Sequence, residues 1–389
     1  MYRITLLLTL VLLIPDVYIY IVHIVRKTKN TWLRLSYWMP SIIILAAYIY
    51  FMYLAGDNPM ANHTQAIGRI GTVALIFIVS KLLFIICSAF GLLFHAFIRS
   101  CPRTPFNALG IALGLIGFGS MLYGSVWGIT RFEVKEVEYR SALLPKGFDG
   151  YRIVQISDLH LGSWQGNPAP IQRLVDLVNQ QHPDLIVFTG DLVNQQSHEV
   201  DGFQPILSQL HAPDGVYSIL GNHDYGSYYR WENKQAEKDN LDYLIRQQEA
   251  MGWIMLNNAH DIIYHQGDSL ALIGVENDGE PPFPQYADLP RAIQGTEGMF
   301  QILLSHNPTH WRREVLPTTD IPLMLAGHTH AMQAIVFGRS LAPLKYPEWQ
   351  GMYYEGNRAL YVNIGIGYVG LPFRLGAWPE ITVLTLRKE

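Results

Sequence analysis

Residues 152–162, RIVQISDLHLG, decide the fold of the C-terminal part of this protein. A run with strand character ends there at the polar residues Asp158 and His160. Residues 185–194, LIVFTGDLVN, repeat the arrangement, because a second short apolar run ends at Asp191. A continuous apolar run of this length is typical of a strand that is covered on both faces. The two segments therefore predict a layered α/β domain with polar groups at the ends of its strands.

Three further candidate strands also end in side chains that can bind a ligand: Asn222 and His223 after residues 216–220, His306 after residues 300–305, and His328 and His330 after residues 322–326. In open α/β sheets this edge is where ligands bind. The glycines beside these residues suit a backbone that turns sharply. The remaining candidate elements are strands at residues 132–139, 270–275, 360–363 and 381–386, and helices at residues 170–181 and 241–251.

The residue types at these strand ends indicate a metal site. Asp and His without Cys form a ligand set that suits Mn, Fe, Zn or Co. Asp158 and His160 flank a single residue, so that on an extended chain both side chains point the same way, and His328 and His330 repeat this spacing. Two such pairs with Asp191 as a central carboxylate can hold two divalent ions, an arrangement that suits phosphoryl transfer.

Each motif also has an ordinary structural interpretation. A lone Asp-x-His is usually a turn with a surface histidine, Gly-Asp after a strand is common as a helix N-cap, and Gly-Asn-His-Asp can form a turn. Gly-His-Thr-His is a stronger signal, because an ordinary turn does not explain two histidines on the same side of a strand end. All of the motifs occur together, each directly after an apolar strand, and this favours one shared site over coincidence.

The N-terminal part differs in composition and charge. Residues 1–130 contain 9 Lys or Arg and 2 acidic residues, whereas residues 131–389 contain 19 and 30, so that the net charges are +7 and −11. We therefore predict a transmembrane domain at residues 1–130 and a catalytic domain at residues 131–389. The acidic second part argues against a nucleic-acid partner. Both cysteines, Cys87 and Cys101, lie in the first part, which excludes a disulfide framework and a cysteine-ligated zinc site from the second.

The first part contains four apolar stretches that are long enough to cross a lipid bilayer as helices: residues 4–25, 37–54, 70–97 and 106–129. Most loop cations lie in the first and third connecting loops, whereas the second holds Arg69 with Asp57. The positive-inside rule then predicts an integral protein of the inner or plasma membrane with an extracytoplasmic catalytic domain. Lys81, within the third stretch, is expected to face another helix or to snorkel, and Asp16 interrupts the first stretch.

At the strand-end residues the sequence resembles the calcineurin-like metallophosphoesterase superfamily, and in particular its bacterial membrane-associated branch. The matching blocks are DLHLG at 158–162, GDLVN at 190–194, GNHD at 221–224, His306, and GHTH at 327–330. The resemblance implies a four-layer α/β/β/α sandwich of two mixed sheets and a centre of two divalent metal ions.

The resemblance also implies a role for each residue. Six side chains would each hold one of the two ions: Asp158, His160 and His330 the first, and Asn222, His306 and His328 the second. Asp191 would bridge both ions. His223 would not be a ligand, and would instead contact the substrate phosphate and protonate the leaving oxygen.

The sequence departs from the family pattern in three ways. Asn194 stands where related phosphoprotein phosphatases carry an acid that orients the histidine, and residues 192–196 lack the arginine that those enzymes place nearby. Both differences argue against a protein-phosphatase activity. Ala331 and Met332 follow Gly-His-Thr-His, where members of this branch often have two glycines, and the larger side chains would alter access to the metals.

The sequence thus predicts a membrane-anchored, metal-dependent phosphoesterase. It would hydrolyse a phosphoester or pyrophosphate bond in a lipid-linked or membrane-proximal phosphate by attack of a metal-bridging hydroxide. The alternatives are a tethered phosphodiesterase for soluble substrates and a non-catalytic membrane sensor. A sensor is disfavoured because all seven ligand positions and His223 are present. Eight aromatic residues are expected either to form a lip at the membrane interface or to pack in the core: Tyr225, Tyr228, Tyr229, Trp231, Tyr346, Trp349, Tyr353 and Tyr354.

Overall fold

The computed structural model describes residues 2–54, 56, 58–281 and 283–389, with side chains from residue 5 onward. Asp57, one of the charges used to predict the orientation, lies outside the described residues. The chain forms two compact units. Met1–Trp127 with Gly370–Leu375 make up the first, here called the membrane unit, and Gly128–Val369 with Gly376–Glu389 make up the second, here called the α/β unit. The domain boundary predicted after residue 130 stays a prediction.

Four helical spans of the described chain are long and apolar enough to cross a membrane: Thr5–Lys27, Thr31–Leu54, Thr64–Phe97 and Thr104–Thr130. The membrane-unit helices are Tyr2–Ile19, Val25–Lys27, Thr31–Ser36, Met39–Ile49, Pro59–Asn62, Thr64–Phe97 and Thr104–Val126, with π-helical turns at Tyr20–Ile24 and Tyr50–Leu54. The third and fourth spans approach closely at two glycines. A Cβ atom at Gly110 or Gly114 would lie 3.0 Å from the carbonyl oxygen of Phe84 or Ser80, so only small residues permit this packing.

A buried ion pair joins the first and third spans. Nζ of Lys81 lies 2.6 Å from Oδ1 of Asp16, whose side chain is only 1% exposed. Tyr37 donates to the same carboxylate oxygen over 2.9 Å, and Ser41 donates to the other oxygen. Lys81 therefore faces a neighbouring helix, which is the first of the two interpretations that its position in the sequence allowed.

We expect Asp16→Ala to lower the free energy of unfolding of the full chain by about 3–5 kcal/mol, because it leaves the largely covered Lys81 ammonium without a counter-charge and, in the described part of the chain, with only the hydroxyl group of Ser41 as a hydrogen-bond partner. SDS-induced unfolding of the detergent-solubilised protein measures the change. The double variant Asp16→Asn with Lys81→Gln removes both charges and should recover much of the lost stability. Equal losses in the single and double variants would contradict this role for the ion pair.

The α/β unit contains two six-stranded sheets. Its strands are β1 (Glu133–Ser141), β2 (Arg152–Ile156), β3 (Leu185–Phe188), β4 (Val216–Ser218), β5 (Trp253–Met255), β6 (Ala259–His265), β7 (Asp268–Gly274), β8 (Phe300–Leu304), β9 (Leu323–Ala326), β10 (Gly351–Glu355), β11 (Arg358–Val362) and β12 (Glu380–Lys388). The strand orders are β1-β12-β2-β3-β4-β5 and β10-β11-β9-β8-β7-β6. The pairs β12/β2, β10/β11 and β6/β7 are antiparallel and the other pairs are parallel, so both sheets are mixed, as predicted.

Alternation of side chains along these strands produces three apolar layers. Ile153 of β2 and Leu272 of β7 belong to the layer between the sheets, whereas their neighbours Val154 and Ile273 belong to the two outer layers. A strand that buries both faces must be apolar at consecutive positions, which explains the continuous apolar runs in the sequence. Two sheets with a covered outer face on each side form the four-layer sandwich that the family resemblance implied.

Helices cover the two outer faces: Ala169–Asn179 and Lys234–Ala250 on the first sheet, and Leu289–Ile293 on the second. The shorter helical segments of this unit are Gly128–Thr130, Lys146–Phe148, Leu161–Trp164, Ser197–Val200, Gln204–Leu207, Trp311–Val315, Leu316–Thr318, His330–Gln333 and Ala342–Leu344. β5, β6 and β10 were not among the strands predicted from the sequence. All three are edge strands of their sheets, most of their side chains are partly exposed, and the apolar run of β5 covers only residues 253–256.

Candidate metal centre

The carboxyl ends of five strands from both sheets meet at one site. A predicted site residue follows two to four positions after the last residue of β2, β3 and β4 in the first sheet and of β8 and β9 in the second. All eight of these side chains lie in metal-ligand groups or line one shared cleft: Asp158, His160, Asp191, Asn222, His223, His306, His328 and His330. Their individual roles stay predictions, but their convergence is an observation of the structure.

The first group of possible ligands consists of Asp158, His160 and His330. Nε2 of His330 lies 3.3 Å from Oδ1 of Asp158 and 3.1 Å from Nε2 of His160. The local backbone differs from the extended chain that the sequence analysis assumed, because all three residues adopt the left-handed conformation with φ of 48° to 54°. Such residues cost conformational energy and concentrate at functional sites.

The second group consists of Asp191, His306 and His328. Nε2 of His306 lies 3.3 Å from Oδ2 of Asp191 and 3.2 Å from Nδ1 of His328. Hydrogen bonds at the opposite ring nitrogens fix both imidazoles. Nδ1 of His306 donates to the carbonyl oxygen of Thr189 over 2.7 Å, and Nε2 of His328 is hydrogen-bonded to the hydroxyl group of Tyr346 over 2.9 Å. Partners of this kind orient metal-binding histidines.

Asp191 connects the two groups. Its Oδ2 atom lies 3.6 Å from Nε2 of His160 in the first group and 3.3 Å from Nε2 of His306 in the second. The glycines before the ligands make this proximity possible. A Cβ atom at Gly221 would collide with the Asp191 carboxylate, and one at Gly327 would collide with Ser157 and Asp158. At these two positions close approach, rather than an unusual φ angle, requires glycine.

The residues present fit a divalent-metal centre. Burial lowers the pKa of His160 well below its usual value and lowers the pKa of His328 to about 3, so both imidazoles are neutral and keep a lone pair for a metal. Oδ1 of Asn222 is buried and has no hydrogen-bond partner in the described part of the chain. Burial opposes the ionisation of Asp191, yet His306 and His223 hold its pKa well below the usual range.

His223 is oriented by the main chain. Its Nδ1 atom donates to the carbonyl oxygen of Asn194 over 2.6 Å, and because a carbonyl only accepts, Nε2 is left for the cleft. The side chain of Asn194 instead accepts from the amide of Ser163 and donates to its hydroxyl group. The departure from the phosphoprotein phosphatases at this position therefore replaces a side-chain acid with a backbone carbonyl.

Two further carboxylates, the buried Asp224 and the partly buried Glu199, support the site and were not among the predicted site residues. Asp224 accepts hydrogen bonds from the backbone amides of Asp191, Leu192, Val193 and Gly221. Glu199 accepts from the backbone amides of Gly162, Asn194, Gln195 and Gln196. Together they fix the loops after β2, β3 and β4. One available signal was the Gln-x-x-Glu spacing of a capping box at residues 196–199.

We expect Glu199→Ala to lower kcat by about 10- to 100-fold while the metal content stays unchanged. The loop at residues 194–196 would lose its acceptor, and the Asn194 carbonyl that holds His223 would move. Steady-state kinetics with metal analysis by mass spectrometry measure both quantities, with the exposed Glu249→Ala as control. A variant that loses metal and activity together would contradict a role through His223.

The site opens into a cleft of about 310 Å³ that is lined by both polar and apolar side chains: Asp191, Asn222, His223, Phe283, His328, Thr329, His330, Met332, Gln333, Tyr346 and Val369.

The eight aromatic residues considered for a membrane lip differ in their exposure to solvent. Tyr225 and Tyr346 are buried, whereas Tyr228 and Tyr354 are exposed. A further group of possible ligands, Asp278, His310 and Glu314, shares no residue with the groups at the strand ends, and Arg313 already pairs with Asp278.

Comparison with known proteins finds two matching family models. Residues 151–332 match the model described as calcineurin-like phosphoesterase, and residues 2–129 match the model described as probable calcineurin-like phosphoesterase, transmembrane domain. A Bacillus subtilis (strain 168) protein named "Uncharacterized metallophosphoesterase YkuE" is 33% identical over 289 residues, which cover 70% of this chain and 94% of that protein.

A Danio rerio protein named "Transmembrane protein with metallophosphoesterase domain" is 32% identical over 277 residues, which cover 69% of this chain and 60% of that protein. The chain thus spans less than two thirds of this relative. The solved structure of TT1561 from Thermus thermophilus aligns over 56% of this chain and 90% of the TT1561 chain, with 16% sequence identity and a TM-score of 0.36. This structural similarity is too low to support a functional inference.

Proposed function

Since this chain belongs to the calcineurin-like metallophosphoesterase family and is a membrane-associated, metal-dependent phosphoesterase, we propose that its centre hydrolyses a phosphoester or pyrophosphate bond in a lipid-linked or membrane-proximal phosphate. The observation that carries the proposal is the position of Asp191, whose Oδ2 atom lies within 3.6 Å of histidines from both ligand groups. One carboxylate between two groups of oxygen and imidazole-nitrogen donors suits a pair of divalent ions.

Each ligand group would hold one ion, and Asp191 would belong to both. Asp158, His160 and His330 form the first set, and Asn222, His306 and His328 form the second. When bound, the two ions would lower the pKa of a shared water and neutralise the charge on the phosphate oxygens. The donor set of oxygen and imidazole nitrogen fits Mn, Fe, Zn or a similar metal.

The protein's own residues position the substrate and supply a proton. His223 is held through Nδ1 by the Asn194 carbonyl, so that its doubly protonated ring would donate the proton on Nε2 to the leaving oxygen and become neutral. Its amide donates to Oδ1 of Asp191 over 2.8 Å, which ties the proton donor to the central carboxylate. Small movements of either residue would therefore disturb both functions.

The membrane spans motivate the choice of substrate. Only Arg131 and Phe132 separate the end of the fourth span, Thr130, from the first residue of β1, so the α/β unit has a very short tether. Cations concentrate in the first and third connecting loops, and on this basis we propose that the α/β unit is extracytoplasmic. A short tether favours phosphates that are carried by the bilayer.

Hydrolysis assays on the detergent-purified full chain with added Mn²⁺ test the proposal. Bis-p-nitrophenyl phosphate, p-nitrophenyl phosphate, a lipid phosphate in mixed micelles and a soluble nucleotide are compared. We expect metal-dependent turnover and a preference for the lipid phosphate. Much faster cleavage of the nucleotide would support a tethered phosphodiesterase for soluble substrates. No turnover with any metal, together with no retained metal, would support a non-catalytic membrane sensor.

A further inference from the structure

The loop that follows the Gly-His-Thr-His motif exposes large apolar side chains to solvent. Residues 332–345, MQAIVFGRSLAPLK, are here called the 332–345 loop. Phe337 is 99% exposed, Leu344 is 84% exposed and Leu341 is 68% exposed, and Met332 and Val336 are each nearly half exposed. Single exposed apolar residues are ordinary, but five within one short loop form a patch of the kind that marks an interaction surface.

The tip of this loop is an ordered and strained turn. The backbones of Val336 and Arg339 exchange two hydrogen bonds of 2.8 and 3.1 Å, which leaves Phe337 and Gly338 as the two turn residues. Both have positive φ, 51° and 74°, as in a hairpin turn that usually takes Asn-Gly. A phenylalanine at the first position is costly in conformation and in exposed apolar area, so an external partner for its ring is expected.

The charges on the loop fit the surface of an anionic bilayer. Between Ala331 and Pro347 the chain has two cations, Arg339 and Lys345, and no acidic residue. Both side chains are exposed, although Lys345 also lies 3.2 Å from the exposed Glu280. Apolar side chains flanked by cations are the composition that binds at the boundary between lipid headgroups and acyl chains.

The loop is continuous with the cleft. Met332 and Gln333 line the cleft beside His328. The side-chain oxygen of Gln333 accepts a hydrogen bond from the amide of Val369, another residue that lines the cleft, over 2.6 Å. The loop thus borders the site directly.

We propose that the 332–345 loop inserts Phe337, Leu341 and Leu344 into the interface of an anionic lipid bilayer. Its consequence for catalysis rests on the proposed function: a phosphate carried by a lipid reaches the cleft from the bilayer surface, past Met332. The partner is the bilayer itself, and the loop selects substrates whose phosphate lies at the headgroup level.

The depth of residue 337 tests the insertion without reference to activity. The full chain with Cys87→Ser, Cys101→Ser and Phe337→Cys is spin-labelled in nanodiscs that contain phosphatidylglycerol and one protein each. We expect collisions with oxygen to exceed those with a water-soluble nickel chelate several-fold more than at Tyr264→Cys, a control position that is 75% exposed on β6. Equal ratios at the two positions, or protection of residue 337 from both reagents, would overturn the proposal.

A second comparison uses unlabelled protein with native cysteines. We expect Phe337→Asp with Leu344→Asp to raise KM for a lipid phosphate in phosphatidylglycerol vesicles by about tenfold or more, because two charges would enter the interface. The kcat/KM for bis-p-nitrophenyl phosphate in detergent should not change. Equal losses on both substrates would overturn the proposal. If the parent protein hydrolyses neither substrate, the proposed function fails, and the spin-label ratios still decide whether the loop inserts.

Discussion

Asp191→Asn is expected to lower kcat roughly a thousandfold or more, because several kcal/mol of charge stabilisation depend on the two ions. Oδ2 of Asp191 is the atom that lies near histidines of both ligand groups, and an amide can offer only one oxygen and no charge. The bound metal should fall from two ions per chain to one or none. Mass spectrometry of the metal content and the kcat for bis-p-nitrophenyl phosphate measure the two effects.

Asp201→Asn is a suitable control for the Asp191 substitution. Asp201 belongs to the same unit, but its side chain is about half exposed and pairs with His198 at the surface. The control should keep both ions and full activity. If Asp191→Asn also kept two ions and normal turnover, the assignment of a bridging carboxylate would be wrong.

His223→Ala is expected to lower kcat by about 10²–10⁴-fold, the usual contribution of a positioned general acid. In contrast to the Asp191 variant, it should keep both metal ions, because His223 is assigned to the leaving oxygen. The loss should be small for a p-nitrophenolate leaving group, which departs without a proton, and large for an alkoxide leaving group. A series of phosphate esters with different leaving-group pKa values measures this dependence.

The matched control for this variant is His198→Ala, which removes a histidine that is 70% exposed and pairs with Asp201 at the surface. It should leave the leaving-group dependence unchanged. An activity loss in His223→Ala that is the same for every leaving group would show that His223 does not act as the acid. Loss of metal would show that it serves the centre as a ligand.

Much of this organisation could be predicted from local patterns. The four spans are long apolar runs, and the inner strands β2, β3, β8 and β9 are short and mostly apolar, because burial on both faces of a strand favours apolar residues at consecutive positions. The metal-binding residue types stand directly after those strands. The strands that were not predicted, β5, β6 and β10, lie at sheet edges, where most side chains are partly exposed and apolar runs are short or interrupted.

The residues that hold the loops of the site in place could not be identified from residue type alone. Glu199 and Asp224 are acidic residues among 32 in the chain, and their role depends on eight backbone amides that only the folded loops bring near them. Asn194 orients His223 through its carbonyl group, which every residue has. No residue type in the sequence marks such a contact.

Local sequence therefore specifies the spans, the central strands and the chemical nature of the ligands, since each depends on neighbouring residues along the chain. Three features exist only in the folded protein: the meeting of strand ends from two sheets, the left-handed backbone at Asp158 and His160, and the exposure of Phe337. The physical reason is that these features depend on packing between residues that lie far apart in the chain. This packing sets both the distances between separate strands and the solvent exposure of a side chain.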